Sequence, residues 1–252
     1  RIWSRRAPLD APALQAAEVL VAAVPAQAMG TVLADLELPA GIPLVITAKG
    51  IERSTHRLMH EVAAATVPAN PALVLSGPSF AGDVLKGLPT AVTLAAPTQD
   101  MADAWARDLS RPAFRIYGTD DVLGVALGGS LKNVLAIACG IADGRKLGES
   151  ARAALIARGF SELTRLGRAM GARTETLMGL SGLGDLLLTC ASAQSRNYGF
   201  GFRVGAGQTP PQALAEASGV VEGVFSAQAA QALAAVHGVD LPITTAVQAI
   251  VE

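Results

Sequence analysis

The sequence predicts an α/β domain built on a mostly parallel sheet, followed by an all-α domain. In the first half, short runs rich in β-branched residues alternate with segments of helical periodicity, a pattern typical of parallel strands joined by helices. From about residue 120 onward the β-rich runs stop and only helical patterns remain. A length of 252 residues is sufficient for two domains. We therefore predict one domain over residues 1–118 and a second over residues 119–252.

The predicted strands of the first half are short and apolar, as expected of strands buried on both faces. Residues 1–3 resemble the end of an earlier strand, and Pro25 closes the run that begins at Val19. The predicted strands cover residues 19–24, 44–47, 73–75, 90–95 and 114–117. The predicted helices cover residues 26–36, 54–67 and 101–109, with one more beginning near Phe80.

In the second half, apolar residues recur at three- and four-residue steps, which predicts a bundle of helices. Pro210-Pro211 and Pro242 are typical of helix starts. The predicted helices cover residues 124–142, 151–170, 184–190, 198–204, 211–216, 223–236 and 244–252. Gly179 to Gly184 lies within this half and favours a tight turn between helices.

Composition excludes several classes of function. Only 16% of the residues are charged and the formal net charge is −1, so no field is available to attract nucleic acid. Cys139 and Cys190 lie far apart without metal-ligand spacing, so we predict no metal site and a reducing, cytoplasmic setting. Lys132 and Asn133 interrupt the most apolar stretch, so we expect no membrane span.

Lys132 is the most informative single residue, because it lies in an apolar helical run, between Leu131 and Val134, that follows Gly128-Gly129. Its stem could pack against the protein while its amine reaches water. Alternatively, a lysine held in a cleft can exchange a proton with a substrate, since its pKa is adjustable. The local pattern leaves both alternatives open.

Three candidates follow predicted strands of the first half, at the edge where α/β sheets bind ligands. Arg5 and Arg6 follow the strand end at residues 1–3, where an arginine can accept the 2′-phosphate of a dinucleotide. Lys49 follows the strand over 44–47 and the intervening Ala48, and Ser79 stands where a helix N-cap or an anion site is expected. Solvated arginines, an exposed lysine and an ordinary cap are the alternatives.

Two further candidates belong to the helical half. Asp185 follows Gly182-Leu183-Gly184 at a predicted helix start, where it could also be a plain N-terminal residue. Residues 195–197 offer a hydroxyl, a guanidinium and an amide in sequence, groups that suit the oxygens of a small phosphate. A polar loop is the alternative for that segment.

Seven blocks of the sequence, in order, resemble the NAD(P)-dependent sn-glycerol-3-phosphate dehydrogenase family. The blocks are Ala48–Glu52, Leu75–Ala81, Gly87–Thr93, Leu127–Asn133, Gly182–Leu186 with Thr189-Cys190, Ser195–Asn197 and Val220–Gly223. This resemblance implies a Rossmann-type N-terminal domain followed by an all-helical domain that binds substrate and carries the catalytic lysine. The family's first strand and glycine-rich loop are missing from this chain, and we expect such a loop to become ordered when a dinucleotide binds.

The resemblance implies reversible reduction of dihydroxyacetone phosphate to sn-glycerol 3-phosphate with NADPH or NADH, which supplies glycerol phosphate for phospholipids. It implies that Lys132, Asp185 and Lys49 are catalytic, with assistance from Thr189. The implied substrate-binding residues are Lys49, Gly77, Ser79, Lys132, Asp185, Ser195, Arg196 and Asn197. The implied cofactor-binding residues are Arg5, Arg6, Lys49, Ala81, Arg196, Val220 and Glu222. A homodimer without a metal is also expected.

Two alternatives remain at this stage. A related two-domain reductase acting on a hydroxy acid could also carry a lysine on a helix, although residues 195–197 argue against it. A non-catalytic helical module for dimerisation or ligand binding, lacking the nucleotide loop, is the other. Cofactor preference is open, although Arg5 and Arg6 favour NADPH.

Overall fold

The computed structural model describes residues 14–252, and its first half is an α/β layer around a five-stranded sheet. The strands, in spatial and chain order, are β1 (Leu20–Ala22), β2 (Leu44–Ile46), β3 (Ala72–Ser76), β4 (Thr90–Ala95) and β5 (Phe114–Thr119). Three of the neighbouring pairs are parallel, and β3 and β4 pair antiparallel, with Leu75 opposite Leu94. The mostly parallel sheet is therefore confirmed, with one reversal.

Helices connect these strands and cover the sheet. A 3₁₀ turn (Ala26–Ala28) leads into α1. The helices of this half with both ends among the described residues are α1 (Met29–Ala34), α2 (Met59–Thr66), α3 (Ala81–Leu85) and α4 (Gln99–Leu109). The sheet residues Leu44 and Ile46 pack against Met29, Leu33 and Met59, and all five are buried. Val45 between them is buried in a separate cluster with Leu73 and Leu94, so burial on both faces explains why β2 is an apolar run without alternation.

The second half contains eight helices among the described residues. They are α5 (Val122–Gly144), α6 (Glu149–Met170), α7 (Thr174–Met178), α8 (Asp185–Cys190), α9 (Arg196–Gly205), α10 (Pro210–Ala215), α11 (Glu222–Val236) and α12 (Pro242–Val251). The two proline-marked helix starts agree with the prediction, because α10 and α12 begin at Pro210 and Pro242. The short helix α7 was not predicted. Leu180–Gly184, predicted to be a tight turn, is instead a π-helical turn that continues into α8.

The central helix α5 organises the helical half. Every residue from Gly124 to Ala142 is buried, because α6, α8, α9 and α11 surround the helix. By length and composition α5 could cross a membrane, contrary to the expectation that Lys132 and Asn133 would exclude such a segment. Nearly all of α5 is, however, buried inside the protein, as expected of a core helix.

The loop after β2 joins the two halves, and this explains the largest difference from the predicted helices. The helix predicted over residues 54–67 begins only at Met59. The preceding residues form a turn in which Ile51 and Leu58 bridge each other and enter the core of the helical half, beside Leu127 and Leu131. The buried Ser130 hydroxyl donates to the Gly50 carbonyl at 3.1 Å and fixes the same loop to α5. Burial of two large aliphatic side chains thus outweighs the local helical preference.

Candidate active site

A cleft of about 420 Å³ opens between the carboxyl ends of β1 and β2 and the helices α5 and α9. This edge of a parallel sheet is where α/β proteins bind ligands. The sheet side of the cleft is lined by Ala23, Val24, Pro25, Thr47, Ala48 and Lys49. The helical side includes Lys132, Asn133, Thr189, Arg196, Asn197 and Glu222. Seven of the residues predicted to bind substrate or cofactor therefore line one cavity: Lys49, Lys132, Ser195, Arg196, Asn197, Val220 and Glu222.

Lys132 enters this cleft from the middle of α5. Its side chain is 10% exposed, and its amine donates to Asp185 Oδ1 at 2.6 Å and to Thr189 Oγ1 at 3.0 Å. Both partners come from α8, on which they are one turn apart and share a face. The alternative in which the amine snorkels to solvent is therefore wrong, because the amine is held among polar groups inside the cleft.

Lys49 approaches the same carboxylate from the sheet side. It follows β2, and its amine donates to Asp185 Oδ2 at 2.6 Å and to the Gly77 carbonyl at 3.2 Å. The Asp185 side chain is 2% exposed and has one lysine on each oxygen. Asp185 is the first residue of α8, but its side chain makes no cap hydrogen bond and engages the two lysines instead. One buried carboxylate is thus shared by two ammonium groups.

Two physical effects lower the pKa of Lys132 to about 8, from its usual value of 10.5. Burial is the larger cause, because removal from water disfavours the ammonium form. The positive charge of Lys49 also lowers this pKa, whereas Asp185 raises it. Lys132 therefore exchanges its proton near the pH at which enzymes work, as a general acid or base requires.

Glycine at position 129 allows the close approach of the two halves that assembles this group. A Cβ on Gly129 would lie 2.8 Å from Ser76 Oγ and 3.3 Å from Lys49 Cγ, which is too close for unshifted packing. The helix α5 therefore lies directly against the end of β3 and the stem of Lys49. Gly77 is similarly restricted, because a Cβ there would lie 2.8 Å from Val92 Cα.

The segment at the start of α9 forms the outer wall of the cleft. Ser195 is the N-cap, and its hydroxyl accepts from the Tyr198 amide at 3.2 Å. Asn197 donates to Asn133 Oδ1 at 3.0 Å and accepts from the Gly223 amide at 2.9 Å, so its orientation is fixed from α5 and α11. Arg196 is exposed at the cleft wall. The alternative of a polar loop is wrong, since the segment begins a ten-residue helix.

Glu222 and Val220 line the cleft where α11 meets the turn after β1. Glu222 Oε1 accepts from the Ala26 amide at 3.4 Å, whereas Oε2 is buried and has no hydrogen-bond partner among the described residues. Burial raises the pKa of Glu222, and the Ala26 amide and the Arg196 guanidinium partly oppose the effect. Val220 also lines the cleft and is 39% exposed. A buried oxygen without a partner can accept a hydrogen bond from a ligand.

Other predicted site residues lie elsewhere. Ser79 does not cap a helix, contrary to that alternative, because Phe80 is the N-cap of α3 and the Ser79 hydroxyl donates to the Gly77 carbonyl. Ser79 and Ala81 line a neighbouring apolar cavity of about 470 Å³, which shares Lys49 with the main cleft. Arg5 and Arg6 lie outside the described residues.

Sequence reasoning missed Asn133 as a site residue, although it is 6% exposed and holds Asn197. The available signal was a second polar residue beside Lys132 in an otherwise apolar helix. Gln194 and Pro25 also line the cleft, and no sequence pattern distinguishes either from an ordinary loop residue.

Comparisons with known proteins agree with this geometry. The family model described as NAD-dependent glycerol-3-phosphate dehydrogenase C-terminus matches residues 121–252, and the corresponding N-terminus model matches residues 9–102. The glycerol-3-phosphate dehydrogenase [NAD(P)+] of Parvibaculum lavamentivorans is 53% identical over 250 residues, which cover 98% of this chain and 75% of that protein. The protein of the same description from Methylobacterium radiotolerans is 55% identical over 251 residues, covering 98% of this chain and 74% of the relative.

A solved structure supports the same assignment. The crystal structure of glycerol-3-phosphate dehydrogenase from Coxiella burnetii superposes with a TM-score of 0.91 at 40% sequence identity, covering 96% of this chain and 75% of that one. These matches favour the implied dehydrogenase over a hydroxy-acid reductase or a non-catalytic module. This chain belongs to the NAD-dependent glycerol-3-phosphate dehydrogenase family, whose members are oxidoreductases that reduce dihydroxyacetone phosphate to glycerol 3-phosphate.

Proposed function

We propose that this chain catalyses the reversible reduction of dihydroxyacetone phosphate to sn-glycerol 3-phosphate with NADPH or NADH, and that Lys132 is its acid–base group. The observation that carries this proposal is the buried Lys132 amine, held 2.6 Å from Asp185 and open to a cleft at the end of the sheet. Thr189, at 3.0 Å, supports the same orientation.

The residues of the cleft fit a nicotinamide cofactor. The partnerless Oε2 of Glu222 is a hydrogen-bond acceptor, and the carboxamide of a nicotinamide is a donor of the matching kind. Val220, Glu222 and Arg196 would hold the nicotinamide end of the cofactor. Lys49 and Ala81 would lie near that end, and Arg5 and Arg6 would lie toward the adenosine. When bound, the reduced nicotinamide supplies the hydride that the substrate carbonyl carbon accepts.

Lys132 handles the proton of this reaction. As the carbonyl is reduced, its oxygen gains negative charge, and an ammonium group beside it both stabilises that charge and donates a proton. In the reverse direction the neutral amine accepts the hydroxyl proton. A pKa of about 8 makes both forms available near neutral pH.

Asp185 and Lys49 have opposite effects on the charged form of the Lys132 amine. Asp185 orients the Lys132 amine and stabilises its charged form, whereas Lys49 places a second positive charge nearby and disfavours it. Lys49 is also able to contact the substrate, because its side chain is 21% exposed at the cleft. The pair therefore sets both the position and the acidity of the proton donor.

The substrate phosphate would bind at the start of α9. Arg196 provides a two-pronged cation, Asn197 is held rigidly by Asn133 and Gly223, and Ser195 provides a hydroxyl. Gly77 and Ser79 belong to the sheet side of the site, because the Gly77 carbonyl accepts from Lys49 and Ser79 lines the neighbouring cavity that shares Lys49. Binding the phosphate holds the reacting carbon close to Lys132, and orientation of this kind can lower a barrier by about 7–11 kcal/mol at most.

The deciding experiment is the variant Lys132→Ala, measured as dihydroxyacetone phosphate-dependent oxidation of NADPH. Because acid–base groups contribute about 10²–10⁴-fold, the rate should fall by at least a hundredfold. Lys86→Ala is the matched control, since Lys86 is exposed after α3. A Lys132→Ala protein that keeps more than about a tenth of the rate would show that the role is wrongly assigned.

A comparison of substrates separates this function from the hydroxy-acid alternative. Dihydroxyacetone phosphate should be reduced, whereas 2-keto acids of similar size should not, because the cation at the start of α9 suits a phosphate dianion. We further propose a cytoplasmic homodimer that supplies glycerol phosphate for phospholipids. Sedimentation of the purified protein tests the dimer directly.

A further inference from the structure

The helix that carries the proposed phosphate-binding residues lies against α5 through its backbone. Gly201 of α9 packs on the Ile137 carbonyl, and Gly205 packs on the Ile141 carbonyl. Since the residue numbers rise together on both helices, α9 and α5 run parallel. A Cβ on either glycine would overlap with the facing carbonyl oxygen, so the contact depends on glycine.

The helix α5 also contributes glycines to this contact. Gly140 and Gly144 of α5 face the carbonyl oxygens of Tyr198 and Phe202, again too close for a side chain. Between these glycine contacts the fully buried Phe200 of α9 packs with Val134 and Ile137 of α5 and sets which face of α9 meets α5. The finer rotation of the first turn, which directs side chains toward the cleft, also depends on polar contacts.

Two hydrogen bonds at the first turn of α9 supply this constraint. On the cleft side, Asn197 donates to Asn133. Next to it, the Tyr198 hydroxyl donates to Asp143 Oδ2 at 2.6 Å, near the end of α5. Arg152 of α6 forms an ion pair with the same carboxylate oxygen, so that Tyr198 ties α9 to two helices. Tyr198 does not line the cleft, whereas the three residues before it do.

We infer that Tyr198 is a positioning residue for substrate phosphate, because it holds the first turn of α9 in the rotation that presents Arg196 and Asn197 to the cleft. This inference rests on the proposed function. The long Arg196 side chain amplifies any rotation of the helix, and a misplacement of about 1 Å is sufficient to weaken a binding contact severely. The hydroxyl remains protonated as a donor, since burial and Asp143 raise the pKa of Tyr198 to about 12.

The test is Tyr198→Phe, which removes the hydroxyl and keeps the ring. We expect the KM for dihydroxyacetone phosphate and the inhibition constant of inorganic phosphate to rise together by about three- to tenfold, the effect of one hydrogen bond. The kcat should stay within about twofold. Reduction of unphosphorylated dihydroxyacetone should not change, because that substrate has no phosphate to position.

Three further variants show whether the bond itself is responsible. Tyr117→Phe is the matched control, since Tyr117 is an exposed tyrosine on β5, and it should have no effect. Asp143→Ala should reproduce the rise in KM. Asp143→Asn keeps an oxygen that accepts from Tyr198, so it should restore most of the phosphate affinity even though the charge is lost.

The outcomes are distinct. An unchanged KM and phosphate inhibition constant in Tyr198→Phe would overturn the inference. An equal loss with phosphorylated and unphosphorylated substrates would also overturn it, since it would indicate general loss of structure. If the unaltered protein does not reduce dihydroxyacetone phosphate, the proposed function is wrong, and calorimetric binding of inorganic phosphate to the same variants still decides the role of Tyr198.

Discussion

The Lys132 amine and the Asp185 carboxylate are 53 residues apart in the sequence and 2.6 Å apart in the structure. Lys132 comes from the centre of α5, and Asp185 comes from the first position of α8. The Asp185 side chain is 2% exposed and the Lys132 side chain 10%, so the ion pair lies where charges are costly to keep. Lys49 shares the carboxylate. The site therefore holds one more positive than negative charge, which suits a phosphorylated substrate.

The first prediction concerns pH. Since the pKa of Lys132 is lowered to about 8, kcat/KM for reduction should fall above pH 8 as the ammonium donor is lost. For oxidation of glycerol 3-phosphate, kcat/KM should instead rise with pH and level off above pH 8, because the neutral amine is the acceptor. Initial rates in both directions between pH 6.5 and 10 measure these profiles.

Lys49→Met provides the control for this assignment. Removing the neighbouring positive charge eliminates one cause that lowers the pKa of Lys132, so the inflection should move to higher pH. The exposed Lys86→Met should leave the inflection in place. Profiles without an inflection in either direction would contradict the acid–base role.

The second prediction concerns stability. The folded-state pKa of Lys132 lies below its unfolded value, so below about pH 8 the buried ammonium destabilises the fold, and stability rises as pH increases from about 8 to 10.5. The difference between the two pKa values corresponds to a cost on the order of 3 kcal/mol. Lys132→Met removes the cost of burying the ammonium group and leaves Asp185 paired with Lys49. The thermal midpoint of this variant at pH 7 should therefore lie a few degrees above that of the unaltered protein.

Thermal unfolding of both proteins at pH 7 and pH 10 measures this effect. The gain in Lys132→Met should shrink at pH 10, where the lysine of the unaltered protein is neutral when folded. A midpoint below that of the unaltered protein at pH 7 would mean that the Lys132–Asp185 pair stabilises the fold.

Long elements with a clear period could be predicted from the sequence. The helix predicted over residues 151–170 is observed at Glu149–Met170, and the strand over 90–95 is observed at Thr90–Ala95. Their periodicity reflects which face is buried, and that information is local. The region 54–58 was predicted wrongly because Leu58 is buried in the helical half, a contact with no local signal.

The site residues also divide into those with a local sequence signal and those without one. Lys132 stood out as a charged residue in an apolar helix and Asp185 as a carboxylate after glycines, but the local pattern left alternatives open for both, and only the family resemblance implied their roles. That Lys49 and Lys132 share one carboxylate depends on how the loop after β2 packs on α5, which no sequence pattern encodes. Asn133 was missed for this reason, since its importance derives from Asn197, 64 residues later.

The third prediction concerns phosphate recognition. Arg196→Ala should raise the KM for dihydroxyacetone phosphate by about 10- to 150-fold, the range for hydrogen bonds to a charged group. Its thermal midpoint should be nearly unchanged, because Arg196 is exposed. Steady-state kinetics with phosphorylated and unphosphorylated dihydroxyacetone measure the loss of preference.

Arg107→Ala is the matched control, since Arg107 is an exposed arginine on α4. That variant should keep the kinetics of the unaltered protein. If Arg196→Ala retained the preference for the phosphorylated substrate, the phosphate would have to bind elsewhere in the cleft.

The fourth prediction tests the glycine contact between α5 and α9. In Gly201→Ala the new methyl group would overlap with the Ile137 carbonyl, and overpacking of this kind typically costs about 1–3 kcal/mol. The helix must also move away from α5, which displaces Asn197 from Asn133 and weakens phosphate binding. Denaturant unfolding measures the stability change, and the KM for dihydroxyacetone phosphate measures the displacement.

Gly199→Ala is a control on the same helix. A Cβ at Gly199 would meet only the flexible Arg203 side chain, at 3.8 Å, so there is space for it. Because alanine favours a helix over glycine by about 1 kcal/mol, this variant should be as stable as the unaltered protein or more stable. The same Gly→Ala change should therefore lower the free energy of unfolding at position 201 and maintain or raise it at position 199. Equal effects of the two substitutions would show that α9 does not depend on backbone contact with α5.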